Sequence, residues 1–324
     1  MLHILFCIFT VAAAPISYFG LPFPEEDFTF AAALAQGTYC SNKTESGLKI
    51  GNAKLIESIS YENDVQRVNI YRDPTFGISV AYEGTNSSVM ANWAHDFKTE
   101  FVNTSGELGI SQGAEVHAGI YEQFQRTWTS VRTALENITA TYSNDSILVT
   151  GHSMGGGLCQ LGALAIENTF HKVSKAIAFA PARVGNELFV KDFDEVFKNG
   201  TTSRYTGVTN GLDWVPYGLA SPDFGWRQPS GMVWIYPESS SNYYYFDDAE
   251  SLEGPAGQKP TFYTSETLRA GVDQVVQNFQ NGKALNEFVA DFFNVFYWEA
   301  HEGVYMKTWM AAATGNCLPT LNSV

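Results

Sequence analysis

The chain has 324 residues, 45% of them hydrophobic and 16% charged, which is ample apolar material for a large buried core. A formal charge of −15 argues against nucleic acid and against strongly anionic membranes as partners, and solubility is the plainer reading of that acidity. No Pro/Ser/Gly-rich linker, composition shift or internal repeat divides the chain, so residues 15–324 read as a single domain.

Residues 1–14 are a short apolar run closing on Ala12-Ala13-Ala14, the pattern of a secretory signal peptide and shorter than the ~20 residues a membrane span needs. No later stretch qualifies as a span, so no integral membrane anchor is expected. Sequons at Asn42, Asn103, Asn137, Asn144 and Asn199 fit a secreted, extracellular glycoprotein. Phe28–Ala35 reads as a helix leading to Cys40. Val68–Tyr71 and Gly77–Tyr82 are strands joined by a turn at Asp73-Pro74, and the second runs into Glu83-Gly84-Thr85. In residues 86–97, Val89, Met90, Trp93, Ala94 and Phe97 fall at helical spacing, with Asp96 just after the stripe. Ile120, Phe124, Trp128, Val131, Leu135 and Ile138 recur at the same spacing and predict a long amphipathic helix over 118–140.

Ile147-Leu148-Val149 then reads as a strand buried on both faces, ending at Gly151-His152-Ser153-Met154-Gly155. Beyond it Leu158, Leu161, Leu164 and Ile166 interleave with Ala163 and Ala165 as a helix. Further strands are predicted at Ala176–Ala180, Arg204–Thr209 and Met232–Tyr236. Residues 256–298 break this rhythm: Leu268, Val272, Val275 and Phe279 mark one helix, and Leu285, Val289, Phe292 and Phe296 another, an all-helical insertion that delivers His301. Strands alternating with helices give an α/β fold with a mainly parallel central sheet covered by helices on both faces.

Gly-x-Ser-x-Gly between a strand and a helix is a nucleophile elbow, which exposes the Ser153 hydroxyl and aims the Met154 N–H at a developing oxyanion. An alkyl hydroxyl is a poor nucleophile at neutral pH, so Ser153 needs a base oriented by a carboxylate. In the order Ser, Asp, His, His301 is left by elimination: His95 and His117 precede the serine, His171 sits in a polar loop, and His152 is held on the elbow facing away. Asp213 follows the strand Arg204–Thr209 and is preferred to Asp223, Asp247 and Asp248, which have no strand immediately before them. Thr85 offers an N–H and a hydroxyl as the second oxyanion donor. No metal-ligand pattern and no nucleotide loop is visible, so no metal and no cofactor is expected. Without the signal, Cys40, Cys159 and Cys317 remain. Cys159 lies in the apolar helix as a free thiol, and Cys40 and Cys317, near the two ends, are expected to pair.

These residues resemble the class 3 (fungal) lipase family of α/β-hydrolases. The likeness rests on Gly84-Thr85, Asn92-Trp93, Val116-His-Ala-Gly119, the Gly-His-Ser-Met-Gly-Gly elbow, Pro181-Ala-Arg-Val-Gly-Asn186, Asp213-Trp-Val-Pro216, Val233-Trp-Ile-Tyr-Pro237 and His301-Glu-Gly-Val-Tyr305. Gln66-Arg-Val-Asn-Ile-Tyr71 and His95-Asp96 look most like its mono- and diacylglycerol lipase branch. The resemblance implies a Ser153, Asp213, His301 triad, Thr85 and Met154 as oxyanion donors, residues 86–97 as a lid, and a Cys40–Cys317 bond. It implies a secreted enzyme acting on acylglycerol at a lipid–water interface, and a monomer is expected. A feruloyl- or cutin-type esterase shares the same triad and fold, and a non-catalytic binding protein of this fold would not need the intact catalytic set.

Overall fold

The computed structural model describes residues 17–40, 49–61, 66–85, 100–104, 106, 108–200, 202–213, 215–218, 225–257, 298–301 and 303–310. The stretches read from sequence as a signal (1–14) and a lid (86–97), and most of the helical insertion expected at 256–298, lie outside them. In chain order the strands are β1 (Ser17–Phe19), β2 (Lys49–Ile50), β3 (Ala53–Tyr61), β4 (Gln66–Asp73), β5 (Gly77–Tyr82), β6 (Phe101–Asn103), β7 (Glu115–His117), β8 (Ile147–His152), β9 (Val173–Phe179), β10 (Lys198–Asn199), β11 (Thr202–Ser203), β12 (Tyr205–Asn210), β13 (Met232–Ile235), β14 (Tyr243–Phe246), β15 (Val304–Tyr305) and β16 (Thr308–Trp309). The longer helices are α1 (Glu25–Thr38), α2 (Ala118–Thr141), α3 (Met154–Phe170) and α4 (Glu187–Phe197), and single turns lie at Val215–Gly218 and Trp298–His301.

Ten strands form one sheet in the order β1-β14-β13-β12-β9-β8-β5-β4-β3-β2. The central five, β13, β12, β9, β8 and β5, run parallel, as the alternation of strands and helices predicts. Both flanks are antiparallel: β4, β3 and β2 on one side, β14 and β1 on the other. Short connections explain β2 to β5 and the β13–β14 pair, because neighbouring strands joined by a tight turn must run in opposite directions, whereas β1 reaches the edge beside β14 from the far end of the chain.

The two-residue period of the strands builds two cores. Ile147 and Val149 of β8, with Ala176 and Ala178 of β9, pack under α2, α3 and α4. Leu148, Ile177, Val208 and Val233 point the other way, onto α1 and the 305–310 segment. Helix α1 is buried along Phe28 and Ala31 to Ala35, which lets it sit between the sheet and the hairpin of β15 and β16. The C-terminal ends of the parallel strands therefore meet one loop cluster, where an open α/β sheet keeps its chemistry.

Candidate active site

The sharp turn from β8 into α3 puts Ser153 at φ 62°, a left-handed backbone that a side-chain-bearing residue adopts only at a cost of order 1–3 kcal/mol. Its neighbours explain why the elbow needs glycine. A Cβ on Gly151 would strike the Gly155 carbonyl, and one on Gly155 would strike the Tyr82 carbonyl and lie 2.8 Å from the carbonyl of Glu83. Strand β5 thus presses directly on the elbow. A Cβ on Gly84 would in turn collide with the Tyr39 hydroxyl and the His152 carbonyl and reach within 3.1 Å of the Ser153 Cβ, so Thr85 follows a backbone held against the nucleophile.

His301 closes the single turn Trp298–His301 and carries one partner on each ring nitrogen. Its Nε2 lies 2.9 Å from Ser153 Oγ, and its Nδ1 lies 3.0 and 3.1 Å from the two carboxylate oxygens of Asp213. With Nδ1–H donating to the carboxylate, Nε2 accepts from the serine hydroxyl. Asp213 owes its place to a tight turn after β12: Gly211 takes φ 51° while its N–H donates to Ile235, and the Asp213 N–H donates to Asn210. All three groups are buried, with 1%, 3% and 1% exposure for Ser153, Asp213 and His301.

Burial alone would raise the Asp213 carboxyl. The attraction of His301 opposes it, together with hydrogen bonds from His301, from the Tyr305 hydroxyl at 2.7 Å and from the Val215 N–H at 3.0 Å, and these hold it below the ordinary carboxylate value. The Thr85 hydroxyl donates to the Met154 sulfur at 3.5 Å, a weak acceptor that leaves it easily redirected. The Met154 N–H is the first of α3, so no earlier residue of the helix can accept from it.

Other candidate residues fall elsewhere. Asp247 pairs with Lys198 at 2.8 Å and the Asp248 carboxylate accepts from the Glu250 N–H, whereas the carboxylate on His301 Nδ1 is that of Asp213. His171 is the left-handed cap that ends α3, and His117 caps the start of α2 by accepting the N–H groups of Gly119 and Ile120 on Nδ1. Asp96, Trp93, Val89, Met90 and Cys317 lie outside the described residues. Cys159 is a free buried thiol as expected, and Cys40 takes part in a disulfide. Among the described residues no three His, Cys, Asp or Glu side chains form a metal-holding group, and no helix is long and apolar enough to cross a membrane.

Several residues of the site were not singled out from sequence. Tyr305 on Asp213 is one. The Arg183–Glu250 pair is another: the buried guanidinium bonds both carboxylate oxygens at 2.9 and 2.7 Å and the Tyr217 carbonyl at 2.9 Å, tying the loop after β9 to the turn that follows Asp213. Tyr305 and Arg183 both stand in the stretches that carry the family likeness, but only the fold shows what they touch.

Comparison with known proteins agrees with this geometry. Residues 79–220 match the family model for lipase (class 3). The chain is 36% identical over 301 residues to the secreted mono- and diacylglycerol lipase 3 of Gibberella zeae, covering 92% of this chain and 85% of that protein. It is 29% identical over 301 residues to the secreted mono- and diacylglycerol lipase MDL2 of Malassezia globosa, covering 92% and 86%. The solved mono- and diacylglycerol lipase from Aspergillus oryzae superposes with a TM-score of 0.63 at 20% identity, over 76% of this chain and 91% of that one. With the elbow, the histidine held between Ser153 and Asp213 and this relationship in hand, the chain belongs to the class 3 lipase family of α/β-hydrolases.

Proposed function

We propose that this enzyme is a secreted lipase that hydrolyses the carboxylic esters of mono- and diacylglycerols, with Ser153 as nucleophile, His301 as general base and Asp213 as its orienting carboxylate. The observation that carries the reading is the continuous chain Ser153 Oγ–His301 Nε2, His301 Nδ1–Asp213, at 2.9 and 3.0 Å on a strained elbow. As Ser153 Oγ attacks the ester carbon, its proton passes to His301 Nε2 and the imidazolium forms beside the Asp213 carboxylate. The carbonyl oxygen takes up the negative charge within reach of the Met154 N–H and of Thr85, whose hydroxyl leaves the methionine sulfur to donate to it. His301 then gives the proton to the departing glyceryl oxygen, leaving an acyl-enzyme, and water repeats the sequence to release the fatty acid.

The names of the relatives support both the substrate class and the extracellular location. Residues 86–97, directly after Thr85, serve in this reading as a lid whose stripe of Val89, Met90 and Trp93 turns toward lipid. The disulfide at Cys40 pairs with Cys317, and the enzyme works as a single-domain monomer. The decisive test is hydrolysis of mono-, di- and triacylglycerol emulsions and of methyl ferulate by the wild type and Ser153→Ala. Fatty acid release from mono- and diacylglycerol that is lost in the variant is the expected result. Preference for methyl ferulate would turn the reading to a feruloyl-type esterase, and activity surviving in Ser153→Ala would remove the triad.

A further inference from the structure

The ring of His301 is held by Ser153 and Asp213, but its backbone is held by two other buried side chains. His152 Nε2 lies 2.9 Å from the His301 carbonyl oxygen, and Asn210 Nδ2 lies 2.9 Å from the carbonyl of Ala300, the residue before it. These carbonyls close a single helical turn, where no following residue of the helix can donate to them; the Ala300 carbonyl also accepts from the Gly303 N–H at 3.4 Å, so the His301 carbonyl leans more on its side-chain partner. The other face of His152 is also occupied: its Nδ1 lies 2.9 Å from the Tyr39 hydroxyl. The three groups pack in a row, with the rings of His152 and His301 tilted and 4.7 Å apart and Tyr39 edge-on to His152.

We infer that Tyr39 and His152 are positioning residues for the base, a relay in which the Tyr39 hydroxyl donates to Nδ1 and thereby leaves the proton on Nε2 for the His301 carbonyl. This rests on the triad reading above. It makes the residue immediately before the nucleophile the anchor of the base, so one dipeptide, His152-Ser153, sets the distance between the two reacting groups. A 1 Å error in such a distance costs on the order of 10²-fold in rate.

The chemistry also favours histidine over other donors at this place. His152 is fully buried, and burial with the neighbouring His301 holds its pKa down to about 3. It therefore donates a hydrogen bond without a positive charge, so the imidazolium that forms on His301 meets no like charge 4.7 Å away. A lysine or arginine could make the same hydrogen bond only by opposing that step.

The test uses the secreted protein and a short soluble ester, so that interfacial binding plays no part. His152→Leu is expected to lower kcat by about 10- to 100-fold with KM unchanged, and His152→Gln, a neutral donor of similar reach, to recover kcat to within about fivefold of wild type. Tyr39→Phe, which keeps the ring and removes only the donor, is expected to lose about 3- to 10-fold in kcat at constant KM. This smaller change remains informative if His152→Leu does not fold. Wild-type kcat in both His152→Leu and Tyr39→Phe would overturn the relay, as would equal losses in the Leu and Gln variants with the melting temperature falling in step. Ser153→Ala run alongside separates the two readings: if it is inactive while the relay variants are normal, the triad stands and the relay alone falls.

Discussion

At Asp213 two effects on a buried carboxylate oppose each other, and three donors decide the outcome. Desolvation favours the neutral acid, whereas His301, Tyr305 and the Val215 N–H all favour the anion. Tyr305→Phe removes one hydrogen bond to a charged group, worth about 1.5–3 kcal/mol at most, so kcat on a soluble ester should fall by about 10- to 100-fold while KM holds. Steady-state kinetics that showed a raised KM and an intact kcat would place Tyr305 in substrate binding instead. The catalytic pair itself should behave as one unit. Ser153→Ala and His301→Ala are each expected to remove several orders of magnitude of turnover, and the double variant little more than either, because the second loss finds nothing left to break. Multiplying losses in the double variant would mean that the two groups act independently.

The elbow shows how much of an element's role resides in missing side chains. At Gly155 an added Cβ would run into backbone of β5 and of Glu83, neither of which can move without displacing Thr85. At Gly157 it would meet only the ends of the Val184 and Ile120 side chains, at 3.1 and 3.2 Å. Gly155→Ala should therefore cost about 1–3 kcal/mol or more in urea unfolding and abolish activity, and Gly157→Ala should be near neutral, its crowding offset by better helix propensity of about 1 kcal/mol. Similar unfolding midpoints for the two variants would contradict this. For the segment 86–97, Trp93→Ala is expected to impair hydrolysis of emulsified acylglycerol far more than that of a soluble ester. Equal losses on both would make the segment ordinary packing. Elements of this kind differ in how plainly the sequence announces them. The central strands were legible because burial on both faces writes them as unbroken apolar runs such as Ile147-Leu148-Val149. Strand β3 was not, because a register shift between Leu55 and Glu57 breaks its alternation, and β1 and β14 have only three and four residues in which to display a period. That Ser153, Asp213 and His301 meet could be anticipated by order and elimination, but Tyr305 on Asp213 and His152 beneath His301 are contacts across 92 and 149 positions that no local pattern encodes.

Across the whole molecule, two buried histidines make stability depend on acidity. Burial holds His152 down to about 3 and His117 to about 4, against 6.5 for an exposed imidazole. Between about pH 6.5 and 4 the unfolded chain therefore binds more protons than the folded one, and stability falls as pH falls through that window, by up to about 1.4 kcal/mol per unit for each group. The lowered Asp213 carboxyl adds a further loss at still lower pH, as it takes up its proton. Urea midpoints should drop clearly between pH 7 and pH 4.5, and a flat profile would refute the assignment of neutral buried imidazoles. The spread of the triad along the chain has a temporal side as well. Ser153 is synthesised first, Asp213 follows, and His301 comes 88 positions after Asp213, on a single turn that finds its place only by docking onto the finished sheet. A growing chain that already displays Ser153 thus has no His301 beside it to take its proton, so the proposed nucleophile is silent during synthesis and becomes reactive only when the later-made segment folds back onto the sheet.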